Sequence, residues 1–282
     1  MTYVATNLTC GLGNRLFQMI AAIKVAEINN AQPVIFLPRY TKGEHGDYEL
    51  LFRLFSNVPI LESAATWEQV SVSEYDGLVP TVTPWPPAPL TVISGFFQNS
   101  ENFPQPTNKY LPTLPNLLPP TNAWAVHFRF GDYQRLPHYH VGLSKYYWSV
   151  ITNNIPKNTR LILFSDSPDK LSPIAEELTE LGYTVEIFKN LDTLETLKKI
   201  ASCQGGAVCS NSTFSWWAAY FAWTASLQNT QYKAFFPNRW LIGTTAQAKL
   251  FTLPFTQSVS LEELEEMKGS HASPSLNSFS HS

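Results

Sequence analysis

The chain has 282 residues, of which 44% are hydrophobic and 13% aromatic, enough apolar material for two substantial cores. Its net charge is -3 with a pI near 6.1, and no run of Lys or Arg forms a stripe able to neutralise several phosphates of a polymer, so nucleic acid is excluded as a partner. No apolar stretch approaches the roughly 18 to 20 residues that cross a bilayer, and Tyr3-Val4-Ala5-Thr6 stands where a signal-peptide pattern would begin, so the expectation is a cytoplasmic protein without stable membrane insertion.

The first predicted elements are a short strand, Val4 to Leu8, a glycine turn at Gly11-Leu12-Gly13, and a helix from about Asn14 to Asn29 with Leu16, Met19, Ile20 and Ile23 on one face. Val34 to Leu37 reads as the next strand and Thr91 to Gly95 as a later one. Between residues 80 and 120 proline is dense, which excludes long regular elements, and Pro115-Asn116-Leu117-Leu118-Pro119-Pro120 is the candidate linker between two lobes, 1–118 and 119–267. Beyond it, strands at Trp124 to Phe128, Leu161 to Ser165 and Val185 to Phe188 alternate with helical stretches near 143–155, 168–181 and 193–202, the pattern of parallel βα units. Residues 268–282, rich in Ser, His and Asn, read as a disordered tail, and no repeat of solenoid length is present.

Cys10, Cys203 and Cys209 have neither the even count of a disulfide framework nor zinc-site spacing, so they are expected to be reduced and packed. The sequons at Asn7-Leu8-Thr9 and Asn211-Ser212-Thr213 are read as accidental.

Four segments carry candidate chemistry. In Gly11-Leu12-Gly13-Asn14, glycines before a helix let backbone approach a ligand and offer unpaired N–H groups to an anion, although plain connection geometry produces the same pattern. His127-Phe128-Arg129-Phe130-Gly131-Asp132-Tyr133 follows a buried strand, where open α/β sheets bind ligands. The planar fork of Arg129 suits a diphosphate; the bland alternative is an Arg129–Asp132 ion pair near the surface. Asp166, at the end of another strand, suits a nucleoside's N–H or ribose hydroxyls, but Asp166 or Ser167 would equally cap the helix behind Pro168. In Asn211-Ser212-Thr213-Phe214-Ser215-Trp216-Trp217, hydroxyls at a helix start make an anion cradle or ordinary caps, and the two tryptophans read as core.

The sequence has no Asp-x-Asp pair to hold a divalent ion against a diphosphate, no clustered His or Cys ligands, no Walker loop and no full Gly-x-Gly-x-x-Gly. A nicotinamide dehydrogenase and a triphosphate hydrolase are disfavoured accordingly.

Taken in order, these segments resemble the α-1,2-fucosyltransferase family, with its Gly-Leu-Gly-Asn-x-x-Phe-Gln start, His-x-Arg-x-Gly-Asp-Tyr core, Ser-Asp segment and Asn-Ser-Ser/Thr-Phe-Ser-Trp-Trp helix. Ser94-Gly95-Phe96-Phe97-Gln98 and Phe236-Pro237-Asn238-Arg239-Trp240 are similar to two further family segments, so the resemblance spans residues 5 to 242. It implies an α/β, GT-B-like fold of two Rossmann-type lobes with a cleft between them, GDP-fucose as donor, a glycan acceptor, no metal ion or other cofactor, and inversion at the anomeric carbon. By the same resemblance Arg129 would bind the β-phosphate, His127 and Asp166 the nucleoside, and Ser212, Thr213 and Phe214 the diphosphate, while Asn14 and the Gly11–Gly13 turn would approach from the first lobe. Relatives carry a second arginine where this chain has Phe130, a glycine at Cys10 and a second aspartate at Ser167.

The mechanism this implies is attack by an acceptor hydroxyl while Arg129 and two helix amino termini stabilise departing GDP. Asp132 is the candidate base, and it would equally orient Arg129. The alternatives are a GDP-sugar-binding protein without turnover, a transferase for a different GDP-sugar, and an interaction subunit presenting its proline-rich segment. Acceptor contacts are expected from loops between residues 38 and 110.

Overall fold

The computed structural model describes residues 2–39, 48–64, 68–71, 89–131, 143–190, 192–240 and 252–266. The chain divides into two compact units, Met1–Pro115 and Asn116–Ser282. The segment 268–282 lies outside the described residues. No helix among them is long and apolar enough to cross a membrane.

The first unit opens with β1 (Tyr3–Thr6), α1 (Leu12–Ile28), β2 (Gln32–Pro33) and β3 (Ile35–Phe36), followed by α2 (Tyr48–Leu54), β4 (Ile60–Leu61), β5 (Glu68–Ser71) and β6 (Leu90–Ser94). Its main sheet runs β2-β1-β6-β5, with every neighbouring pair parallel. Alternation along the strands sorts the core: Val4 and Ile93 meet Ala21, Ala22, Val25 and Ala26 of α1, while Ala5, Leu90 and Val92 meet Val34 and Phe36 on the other face. The helix starts earlier than expected. Gly11 is its N-cap and Gly13 lies inside the first turn, so no Gly11–Gly13 turn exists; the left-handed residue is Cys10, at φ 62°. The expected strand Val34–Leu37 is also divided. Val34 N–H still bonds Val4, the next N–H bonds Pro59, and Leu37–Arg39 form a 3-10 turn, so the chain changes sheets there.

The second unit contains β7 (Trp124–Phe128), α3 (Ser144–Asn154), β8 (Arg160–Ser165), α4 (Ser172–Glu180), β9 (Thr184–Ile187), α5 (Thr193–Ala201), β10 (Gly206–Val208), α6 (Thr213–Ala225), β11 (Ala234–Pro237), β12 (Thr256–Val259) and α7 (Leu261–Glu266). Its sheet runs β9-β8-β7-β10-β11-β12, all parallel, which is the 3-2-1-4-5-6 order of a Rossmann fold. Hydrophobic runs such as Leu161-Ile162-Leu163-Phe164 are buried throughout, as a sheet covered on both faces requires.

Two anchors fix this sheet. Tyr146 of α3 is buried and its hydroxyl donates to the Cys209 and Phe235 carbonyls at 2.9 and 2.7 Å, tying the ends of β10 and β11. Trp216 and Trp217 are fully buried in α6 with ring centroids 5.2 Å apart. Truncating either to alanine costs about 3–5 kcal/mol. Strand β10 is short and closely approached: a Cβ at Gly206, whose φ is 144°, would stand 2.6 Å from the Trp124 ring.

Candidate functional site

From β7 the second sheet is built through α3 to β8 and β9 on one side, and then continues from β10 on the other. The strand order therefore reverses between β7 and β10, whose register pairs Gly206 with Trp124 and Val208 with Val126. Ligands of open α/β sheets bind outside the carboxyl ends of the strands at such a point. The segment holding His127 and Arg129 leaves β7 here, the segment holding Ser210 to Thr213 leaves β10, and Asp166 follows β8, the other neighbour of β7. The structure thus brings three of the four sequence segments to the ends of three adjacent strands.

Arg129 pairs with Asp166. Its Nη1 lies 3.1 Å from Asp166 Oδ2, with the two side chains 25% and 20% exposed. The same carboxylate accepts the backbone N–H of Phe130 and of Gly131, each at 3.0 Å. The helix-cap alternative for Asp166 and Ser167 is not what forms: Ser167 makes no side-chain cap, and its N–H bonds Ser165 Oγ at 2.9 Å. A Cβ at Gly131 would stand 2.5 Å from Asp166 Oδ2, so any larger residue there must push that carboxylate aside. Asp132 lies outside the described residues.

The side chain of His127 is buried, and its Nδ1 and Ser215 Oγ are 2.5 Å apart. Ser215 Oγ is 2.8 Å from Ser210 Oγ, so a polar chain runs from β7 through the first turn of α6 to the loop after β10. Tyr147 donates to the His127 carbonyl at 2.8 Å, and the Phe214 ring lies 5.5 Å from the imidazole. Burial first, and the Arg129 charge second, push the imidazole down to about 4 against the opposing pull of Asp166. His127 is therefore neutral at pH 7 and spends one nitrogen on Ser215. Any contact with a nucleoside falls to Nε2. Sequence reasoning gave Ser210 and Ser215 no role, although a serine one turn into an otherwise aromatic helix was a visible signal.

Ser212 is the N-cap of α6, with extended backbone and no side-chain cap bond, so its hydroxyl is not used as the ordinary cap that the sequence equally allowed. The first N–H groups of the helix have no intrahelical acceptors and point out of its amino end beside Thr213 and Phe214, the arrangement that suits a phosphate. Asn211 is buried and donates to the Trp240 carbonyl at 2.8 Å, which fixes the loop.

In the first unit, Asn14 sits in the first turn of α1, where its Oδ1 accepts from Gln98 Nε2 at 2.8 Å. Gln18, on the next turn, accepts the Thr9 N–H at 3.0 Å and donates to Thr9 Oγ1 and the Gly95 carbonyl, both at 3.1 Å. Two family-like segments, Gly11–Gln18 and Ser94–Gln98, are thus bonded to each other through their amides. Gly11 and Gly13 serve the helix start.

No family model matches the chain, and no curated protein matches it. Solved structures that it resembles include fucosyltransferase NodZ from Bradyrhizobium, at 11% identity over 77% of this chain and 92% of that one with a TM-score of 0.49. They also include the NodZ alpha-1,6-fucosyltransferase co-crystallised with GDP, at 11%, 77%, 92% and 0.47. The FUT1 mutant of Arabidopsis thaliana in complex with GDP resembles it at 11% identity over 83% of this chain and 70% of that one, with a TM-score of 0.44.

Proposed function

We propose that the chain is an inverting, metal-independent glycosyltransferase that moves L-fucose from GDP-fucose to a hydroxyl of an acceptor glycan, O2 of a galactose-like residue. The observation that carries this reading is the placement of Arg129 and the amino end of α6 on either side of the switch point in the second sheet. The ordered motif resemblance supplies the identity of the donor and the linkage, and the GT-B arrangement belongs to the same proposal.

In this reading the acceptor oxygen attacks the anomeric carbon and the bond from that carbon to the β-phosphate oxygen breaks. GDP leaves with the bonding electron pair. Arg129, the N–H groups at the head of α6 and the Ser212 and Thr213 hydroxyls take up the charge that grows on the diphosphate. Neutral His127 contributes hydrogen bonding without competing for a proton, and Asp166 holds Arg129 and the 130–131 backbone in place. Asp132 or solvent takes the acceptor's proton. The absence of an Asp-x-Asp pair in the sequence supports leaving-group stabilisation by protein donors alone.

The test is release of GDP from GDP-fucose, with GDP-mannose beside it, in EDTA, with lactose or N-acetyllactosamine present or absent. The wild type is expected to consume GDP-fucose in EDTA, and Arg129→Ala to lose about 100- to 1,000-fold in kcat. A wild type that binds GDP by calorimetry but turns over neither donor sinks the fucosyltransferase reading. The specific observation that favours the second reading, a GDP-sugar-binding protein without turnover, is the pairing of Arg129 with Asp166, which already neutralises one charge at the site.

A further inference from the structure

The hydroxyl line behind His127 has a direction, and that direction decides what the imidazole offers. Ser215 is buried in the first turn of α6, and its Oγ has two neighbours, His127 Nδ1 at 2.5 Å and Ser210 Oγ at 2.8 Å. Ser210 is fully buried, and among the described residues the partner of its hydroxyl is Ser215. Each hydroxyl brings a proton to the line, and the neutral ring brings one more.

Placing these protons leaves one arrangement. If Nδ1 carried the ring proton, it would donate to Ser215 and Ser215 would donate to Ser210. The Ser210 O–H would then lie in the core with no acceptor, and a buried donor without a partner bears its full desolvation cost. If Nδ1 were bare while Ser215 donated to Ser210, two lone pairs would face each other at 2.5 Å. When Ser210 donates to Ser215 and Ser215 donates to Nδ1, every proton in the line has an acceptor. The imidazole then carries its proton on Nε2, because the bond at one ring nitrogen sets the state of the other. An imidazolium would reverse the line and strand the same Ser210 proton, which agrees with a ring kept neutral at pH 7.

Nε2 is the nitrogen left for a ligand. It has no hydrogen-bond partner among the described residues, and it is not one of the side-chain atoms sealed from solvent without a partner. The groups around these strand ends are donors as well: the Arg129 guanidinium two residues along the chain and the N–H groups at the head of α6. A further donor suits a molecule that presents acceptor atoms, and it turns an N–H away.

We propose that Ser215 and Ser210 are positioning residues that hold His127 as the Nε2–H tautomer, so that the imidazole donates a hydrogen bond to an acceptor atom of the bound nucleoside diphosphate. That the ligand is a nucleoside diphosphate rests on the transferase reading given above; the tautomer rests on the buried hydroxyls. A nitrogen that already holds its proton takes none from an attacking hydroxyl, so His127 is not the base of the reaction.

The experiment uses the full chain with nitrogen-labelled histidine, in which long-range proton–nitrogen correlations tell a protonated Nε2 from a protonated Nδ1. The free wild type is expected to show His127, assigned by the signals lost in His127→Gln, as the Nε2–H form alone. Ser210→Ala removes the proton that has no other acceptor and should admit the Nδ1–H form beside it. In calorimetry Ser215→Ala should weaken GDP about two- to tenfold, the worth of one neutral hydrogen bond, and should change little in the His127→Gln background because its effect passes through the ring. The same loss with inorganic pyrophosphate places the acceptor atom on the diphosphate, and with guanosine on the nucleoside. If Ser215→Ala melts early, the tautomers of wild type and Ser210→Ala decide the matter. A wild-type Nδ1–H ring, a ring unchanged in Ser210→Ala, or a folded Ser215→Ala whose GDP affinity is unaltered or falls equally with and without His127 overturns the proposal. An Nε2–H ring in a chain that binds none of the three ligands overturns the nucleotide reading and leaves the setting of the ring by the two serines in place.

Discussion

Arg129 Nη1 and Asp166 Oδ2 stand 3.1 Å apart, and that aspartate also accepts the N–H groups of Phe130 and Gly131. One carboxylate therefore sets both the charge that a diphosphate would meet and the backbone that carries it. Removing it takes one shared acceptor away from two N–H groups and a guanidinium. Hydrogen bonds to charged groups are worth about 1.5–3 kcal/mol, so Asp166→Ala is expected to raise the Kd for GDP by at least about tenfold, with Asp166→Asn intermediate. Titration calorimetry with GDP measures this, and an unchanged Kd in Asp166→Ala would show that the loop is held by other contacts.

Gly131→Ala tests the same contact from the opposite side. The added Cβ must displace Asp166 Oδ2 from 2.5 Å, and bonds from Arg129, the Phe130 and Gly131 N–H groups and the Ser165 hydroxyl hold that carboxylate in place. Turnover of GDP-fucose is expected to fall about tenfold or more while the melting temperature changes little, because the residue is partly exposed and outside the main core. Steady-state kinetics beside a thermal melt separates the two effects.

Phe130 occupies the place of an arginine in the resembling family, and the structure gives the reason that restoring it would not help. Its ring is 9% exposed, stacks on Phe128 at 5.9 Å and belongs to the core of the second unit. Phe130→Arg buries a charge in that core and is expected to cost on the order of 3 kcal/mol. The urea midpoint should drop with no gain in GDP affinity; tighter GDP binding at full stability would mean that the side chain turns outward to the donor.

The buried His127 predicts a pH dependence of stability. Its pKa is about 4 in the folded protein against an ordinary 6.5, so the unfolded chain takes up a proton that the folded one refuses between those values. The contribution is fully present above pH 6.5 and is lost as pH falls to about 4, amounting to on the order of 3 kcal/mol. Melting temperatures from pH 7.5 down to 4.5 should decline, and the decline should flatten in His127→Gln. Parallel curves for the two proteins would place the titration elsewhere.

Much of the second unit was legible because its strands are long apolar runs separated by amphipathic helices: the strand Trp124–Phe128 has the predicted bounds, and the helices at 144–154 and 193–201 lie within a residue or two of expectation. What escaped was short or divided. Gly206–Val208 is a three-residue strand whose glycine gives no propensity signal, and Gln32–Phe36 splits between two sheets for tertiary reasons that no local pattern encodes. At the candidate site, residue types were legible but partners were not. Arg129 bonds Asp166, 37 residues away in sequence, because β7 and β8 are paired from Trp124 to Phe128, which brings the two strand ends together. The glycine pair misled in the opposite way, since the left-handed residue at the start of α1 is Cys10.

The buried indole cluster of α6 also makes the second unit a reporter on itself. Six of the eight tryptophans, at positions 124, 148, 216, 217, 223 and 240, fall in residues 116–282, so the intrinsic emission of the chain is weighted towards that half. Each unit has its own sheet and apolar interior, so separate transitions for the two can be looked for. A fluorescence transition would then track the Rossmann half, while far-ultraviolet circular dichroism reads both. Non-coincident midpoints would give the two halves separate stabilities from one titration, and donor addition should move the fluorescent one.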